Sequence, residues 1–431
     1  MQNQTDIWSA FQNGAGNLTT AQNLPVTWSP KTNIGWKVEL TGYGQSAPVV
    51  WKSLVLVTSI LGANKEQNVV SAYDVKSGKL RWQQKFASSM PKPAHDLISR
   101  APATPCVDKA GIYAFFESGD FYALTHTGAM RWQRDIGKDY GKPKNIYGLG
   151  TSPVQNQSDL FLLIEDENPS YLLRIDKNTG RTLWKADREP RTSYSTPILT
   201  SMGGKEVLVL SSTGVVQAYE TSTGARIWSL DGFSGNKIPT PGIGNDLIFT
   251  GAAAAERGGG PSKYSPTESN CCLRLMMSNG KPDVEIVWKS TKASCGMMGP
   301  QFYQGYVYYV NATGVLFCLD AKTGTEQYSE RIGDQCWAQA VCNGNRLYLF
   351  GKKGTTTVVE AGPKFRKLAT NVLWDEASPP LPRVPTNAPP PGADGAARGL
   401  PGGPHDPTLC GVAVAHHSLF LRVATHLCCV R

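Results

Sequence analysis

Residues 72–86 read Ala-Tyr-Asp-Val-Lys-Ser-Gly-Lys-Leu-Arg-Trp-Gln-Gln-Lys-Phe. Apolar residues alternate into Tyr73, a polar run ends in Gly78, and alternation resumes through Leu80 and Trp82, the pattern of two antiparallel strands joined by a tight turn. The turn needs a residue at positive φ, which glycine adopts without the penalty a Cβ brings. Trp82 carries more apolar surface than one hairpin can bury, so something else must cover it. The hairpin recurs along the chain, and the natural cover is the next copy.

Each copy opens with a strand that most often carries a proline, adds a second strand, and closes with the glycine hairpin. The openings are Ala47-Pro48, Thr104-Pro105, Ser152-Pro153, Thr196-Pro197, Thr240-Pro241, Gly299-Pro300 and, without proline, Ala338-Gln339. Turn glycines stand at 78, 128, 180, 224, 280 and 324, with Gly362 in place of the full turn in the seventh copy. That spacing suits four strands per unit. An eighth unit, 411–431, has three strands and stops, whereas residues 36–40 form an alternating strand with no hairpin of their own. Pairing the two chain ends would complete the eighth unit and remove the open edge. The fold expected is all-β: an eight-bladed β-propeller with four antiparallel strands per blade, closed by N- and C-terminal strands, with seven blades as the alternative. Residues 1–33 are expected to be an N-terminal extension and 34–431 a single propeller domain. A Pro/Gly-rich stretch at 376–407 cannot support a core and is expected to be a disordered insertion.

The net charge of +9 is dispersed, with no basic run, and this argues against a nucleic-acid partner. No apolar run reaches the ~18 residues of a membrane helix. Ten cysteines without regular spacing are expected to be small apolar fillers of strands rather than a disulfide framework. Residues 1–22 are polar throughout, so no leader is visible in this chain.

The repeat Ala-x-Asp-x-x-(Thr/Ser)-Gly-x-x-x-Trp, seen at 72–82 and degenerately in later copies, resembles the PQQ-like β-propeller repeat family. That family includes quinoprotein alcohol dehydrogenases, outer-membrane assembly scaffold lipoproteins and many exported bacterial proteins of unassigned role. Runs such as Phe116-Glu-Ser-Gly-Asp120 and Gly137-Lys-Asp-Tyr-Gly141 resemble its uncharacterised exported members. The resemblance implies that Trp82, Trp132, Trp184, Trp228 and Trp288 dock between neighbouring blades. It also implies a bacterial envelope location, periplasmic or secreted, with the cytoplasm as alternative.

Quinoprotein dehydrogenases place a disulfide between adjacent cysteines over their quinone, and Cys271-Cys272 matches that spacing. The pair begins a strand, however, and Cys428-Cys429 sits at a matching place in the last unit, which argues for packing. No set of carboxylate and amide oxygens for Ca²⁺ is evident. His416-His417 would point to opposite faces of a strand and are read as a turn pair. Glu165-Asp166-Glu167 is read as an exposed acidic turn.

The long excursions all join second to third strands or one blade to the next, and these share one face. Function is expected on that decorated rim. Its candidate ligand-binding residues are His95, Arg100, Lys144, Tyr147, Arg191, Tyr194, Lys237 and Trp337. The expectation is a monomeric, non-catalytic binding or scaffold module without cofactor, taking a protein segment or a small polar or glycan ligand. A PQQ- and calcium-dependent oxidoreductase is the rival, and a cytosolic interaction module comes third.

Overall fold

The computed structural model describes residues 6–14, 16–19, 21, 23–92, 101–145, 148–235, 238–253, 263–278, 280–375, 379–380 and 408–431. Eight antiparallel sheets follow one another along the chain. Blades 1 to 7 span residues 49–87, 106–135, 154–187, 198–231, 242–289, 301–331 and 341–372. The first strands of neighbouring blades touch, so these strands line the ring's axis and the fourth strands form its periphery. The eight-bladed propeller expected from the repeats is the fold observed.

Blade 8 takes three strands from the C-terminus, Leu409–Ala415, Ser418–Val423 and His426–Val430, and its fourth, Ile34–Glu39, from the N-terminal region. Trp36 pairs with Cys429 and Val38 with Leu427, so the two chain ends close the ring. The guanidinium of Arg422 crosses the same seam, donating to Ser46 Oγ at 2.7 Å, the Thr58 carbonyl at 2.5 Å and Ser59 Oγ at 3.0 Å in or beside blade 1.

Two repeated contacts tie blade to blade. Near the axis, a residue that precedes proline is held extended by the ring behind it. Its N–H is then donated to the next blade: Ala47 to Thr104 Oγ1, Thr104 to Ser152 Oγ, Ser152 to Thr196 Oγ1 and Thr196 to Thr240 Oγ1, each at 3.0 or 3.1 Å. At the periphery, a tryptophan of one blade lies on the turn glycine of the next. Trp36, Trp82, Trp132, Trp184 and Trp288 face Gly78, Gly128, Gly180, Gly224 and Gly324. Their indole N–H groups donate to the carbonyls of Val75, His126, Lys177, Thr221 and Ala321 at 2.8–3.0 Å.

Trp228 departs from this pattern. It is buried, but among the described residues its indole nitrogen has no acceptor and a Cβ at Gly280 would meet nothing within 4 Å. The hairpin of blade 5 stays paired from Cys272–Trp288 out to Ser278–Lys281, whereas that of blade 1 ends at Tyr73–Leu80, just past Ala72–Trp82, and this extension carries the turn outward and away from Trp228. At the register position of the tryptophan blade 6 has Tyr328 and blade 7 has Ala369, and blade 8 has no hairpin turn to receive a ring from blade 7. Trp28, buried, packs there instead, its backbone N–H donating to Asn371 Oδ1 at 2.8 Å.

The cysteines stay within this packing. Cys272 pairs with Trp288, Cys429 with Trp36 and Cys318 with Tyr328, all at one register position of the third strand. Nine of the ten are buried, and no disulfide forms among them. His416 and His417 form a turn, both at positive φ.

Candidate functional site

Residues 1–33 read from the sequence as an extension; the described ones among them run into the ring. Ile7–Trp8 adds a strand to Val49–Trp51 of blade 1, and the Ser9 carbonyl accepts from Val107 of blade 2 at 2.8 Å and from Gln155 of blade 3 at 3.3 Å. Leu18 then bridges to Cys342 of blade 7, and the Gly16 carbonyl accepts from Gln301 of blade 6. Blades 2 and 6 lie across the ring from each other, so the segment crosses its axis. It does so beside the turns that join first to second strands: Lys52 N–H reaches the Asp6 carbonyl at 3.0 Å, and His416 Nδ1 stands 3.3 Å from Asp6 Oδ1. That end of the ring is covered, and the rim is the opposite end.

Of the residues expected on the rim, His95, Arg100, Tyr147 and Lys237 lie outside the described residues. Three others share one neighbourhood. The backbone N–H groups of Lys144 and Asn145 donate to the Asp166 carboxylate, and the Asn145 amide donates to the Tyr194 hydroxyl at 2.8 Å. Arg191 donates from its backbone to Ser170 Oγ at 3.2 Å and from its guanidinium to the Thr213 carbonyl at 2.7 Å. Trp337 is not part of this group; it lies on blade 7 with the Lys352 ammonium 4.9 Å from its ring centre.

Glu165 and Asp166, expected in an exposed acidic turn, are buried, at 2% and 0% exposure. The reason is a long-range partner. Glu165 meets the Arg188 guanidinium at 2.6 Å and accepts from Ser212 of blade 4 at 2.7 Å, while Arg188 also donates to Gln217 at 2.5 Å and to the Tyr219 hydroxyl at 2.8 Å. A buried charge needs this degree of pairing. By strand register Arg188 stands where blade 1 has Phe86, which stacks on Tyr122 at 4.3 Å and fills the rim half of the seam between blades 1 and 2. Between blades 3 and 4 the charged substitute leaves an open polar groove lined by Asp187, Arg188, Glu189, Arg191, Gln217, Tyr219, Arg226, Ser229 and Asp231. Among the described residues Arg188 Nε is buried there without a hydrogen-bond partner. A second, shallow cleft opens on the rim between blades 1 and 2 around Lys65, Lys92 and Glu117.

Sequence reasoning missed Glu165, Arg188 and Glu117. The one local signal was that Glu117 and Glu165 each directly continue an apolar second strand, where a solvated turn would be expected to begin with Gly, Asn or Pro. Among the described residues no three His, Cys, Asp or Glu side chains are placed to hold a metal ion. Cys272 lies in the buried seam between blades 5 and 6, against Trp288, whereas Cys271 faces the other way, into the seam between blades 4 and 5.

Comparison with protein families matches residues 10–163 and 168–254, more than half of the chain, to the family described as outer membrane protein assembly factor BamB. The chain belongs to this BamB-type, PQQ-like propeller family. Among individual proteins, BamB of Burkholderia pseudomallei is 25% identical over 54% of this chain and 58% of its own length. A tetrathionate hydrolase of Acidithiobacillus ferrooxidans is 22% identical over 68% of this chain and 55% of its own length. The chain thus spans a little over half the length of the curated relatives it matches. In three dimensions it is similar to BamB of Moraxella catarrhalis, with a TM-score of 0.58 at 13% identity, covering 92% of this chain and 98% of that one. This last likeness concerns the fold alone. No helix among the described residues is long and apolar enough to cross a membrane.

Proposed function

We propose that this chain is a non-catalytic binding propeller, a scaffold of the bacterial envelope whose rim captures a segment of a partner protein. The observation that carries the reading is the polar groove between blades 3 and 4: Arg188 is fixed at its floor by buried Glu165, and Arg191 and Arg226 line it. A rigid wall with preset donors suits recognition of an extended polar segment, because little side-chain freedom remains to be lost on binding. Family membership supports the envelope setting, since matched relatives are outer membrane assembly factors. The described part of the N-terminal segment crosses the other mouth.

An oxidoreductase reading would require a quinone in the funnel, with calcium to polarise it. The experiment that separates the two readings incubates the purified protein with PQQ and Ca²⁺, then follows quinone absorbance and dye reduction with alcohols or sugars. The binding reading predicts neither signal, together with loss of partner capture from envelope extracts in an Arg191→Glu, Tyr194→Ala variant that melts like the parent. Stoichiometric quinone uptake with substrate-dependent dye reduction would reverse the order of the two readings.

A further inference from the structure

The connection from blade 3 to blade 4, residues 188–197, leads from the groove to the ring's axis. Arg191 lines the groove, and Tyr194 stands at the rim end of the innermost strand of blade 4, four residues before Ile198–Met202. The same offset before Gly242–Gly244, Gln301–Tyr303 and Val341–Asn343 gives Ile238, Met297 and Trp337. Blades 4 to 7 therefore each place a large apolar or aromatic residue at one height around the axis. Blades 1, 2 and 3 have Gln45, Pro102 and Gly150 there, so the apolar arc lies on one side only.

Equivalent positions of neighbouring blades meet at this height: a Cβ added at Gly150 would stand 2.9 Å from the Tyr194 ring. Two residues further along each chain segment, axial hydrogen bonds keep the blades in the same register. Ser152 donates to Thr196 at 3.1 Å, Thr196 to Thr240 at 3.0 Å, and the Gly299 N–H to the Gln339 side chain at 3.2 Å. The two ends of the arc are held in place. The Tyr194 hydroxyl accepts from Asn145 at 2.8 Å, and the Lys352 ammonium lies 4.9 Å from the centre of the Trp337 ring.

None of the four residues belongs to the apolar clusters that fill the seams between these blades. Ile238 is 38% exposed, and Tyr194, Met297 and Trp337 are half-buried. Apolar surface left outside the core is stabilised by being covered. A tyrosine and a tryptophan beside an arginine-lined groove are the residue types that dominate binding surfaces.

Continuity with the groove identifies the cover. The groove lies along the fourth strands and the arc at the first, three inter-strand steps of about 4.8 Å apart, a distance that about four or five extended residues span. We propose that the partner segment held in the groove continues inward along 188–197 and sets one large apolar side chain into the arc of Tyr194, Ile238, Met297 and Trp337. This rests on the scaffold reading and adds the chemistry of its partner: a segment that is polar where it crosses Arg191 and apolar about four or five residues further on.

Photo-crosslinking of the full chain in living cells tests this. A photoreactive residue at Arg191 identifies the partner, and mass spectrometry of the linked peptide gives the residue over the groove. The same group at Ile238 or Met297 should link to the same polypeptide, about four or five residues away and at or beside a large apolar side chain. A synthetic peptide of the linked sequence should bind Ile238→Asp at least tenfold more weakly than the parent, with the melting temperature unchanged because the side chain is outside the core. Met297→Ser should weaken it in the same sense. Replacing the peptide's apolar residue by serine should lower affinity for the parent as much, and for Ile238→Asp little further. A product from Arg191 with none from Ile238 and Met297, or with one from a second copy of this chain, would overturn the anchor and leave the groove reading standing. No product from Arg191 would overturn both.

Discussion

Trp82 of blade 1 covers Gly128 of blade 2 so closely that a Cβ added at 128 would stand 2.9 Å from the indole ring, while the same indole donates to the His126 carbonyl at 2.8 Å. One side chain thus reads two features of the next blade's turn, its glycine and its orientation. The turn glycine is required twice, by its left-handed φ of 87° and by the tryptophan lying on it.

Gly128→Ala should therefore combine the left-handed penalty with overpacking against Trp82, for a loss of about 2–4 kcal/mol in a denaturant titration. Gly280→Ala offers the contrast. It shares the positive φ, at 73°, but has open space around it, so about 1 kcal/mol is expected. Equal losses at the two positions would remove the tryptophan from the explanation.

The seam between blades 4 and 5 should respond differently from that between 3 and 4. Trp184→Phe gives up the bond to the Thr221 carbonyl at 2.9 Å, whereas Trp228→Phe has no such bond to lose. The first should cost about 1 kcal/mol more than the second, measured from unfolding midpoints.

The hairpins, their glycines and the closure by chain ends were legible because each is a local pattern that repeats, or conspicuously fails to, as at residues 36–40. The reason for glycine was only half legible, since φ is local but the ring covering Gly128 comes from another blade. The Glu165–Arg188 pair was hidden because the two residues follow different strands, the second and fourth of blade 3, and each, alone, looks like an ordinary surface charge. The course of residues 6–33 was hidden for a different reason: the segment has no period, and its contacts are mostly backbone bonds to inner strands. Trp228 and Trp184 look identical in sequence; only the outward turn of blade 5 separates them.

At the floor of the rim groove, Glu165→Gln should leave Arg188 as a buried charge without its carboxylate, a loss of about 3–5 kcal/mol. Changing both, as Glu165→Gln with Arg188→Met, should recover much of that loss while removing the groove's buried cation. Thermal melts of the three proteins decide the matter: additive losses would mean the two side chains are not a pair.

Acid should loosen the blade turns. The Ser77 hydroxyl and N–H, with Arg81, hold the Asp74 carboxyl below the usual range. At Asp176 and Asp320 burial acts to raise the carboxyl, but the Thr179 and Thr323 contacts outweigh it and both are lowered. A carboxyl lowered in the folded state stabilises that state above its unfolded value of about 4, and the contribution is lost as pH falls through the folded value. Melting temperature should therefore drop below about pH 4, and less steeply in a variant carrying Asp74→Asn, Asp176→Asn and Asp320→Asn. An unchanged acid slope would show that these turns do not set it.

The rim itself is tested most directly by site-specific photo-crosslinking in living cells. A photoreactive residue at Arg191 or Asp231, at the rim end of the groove between blades 3 and 4, is compared with one at Lys76 or Lys322, on the glycine turns of the other face. The scaffold reading predicts a discrete crosslinked product with one envelope protein from the groove positions and none from the turns. Equal crosslinking from both faces, or products from the turns alone, would contradict it.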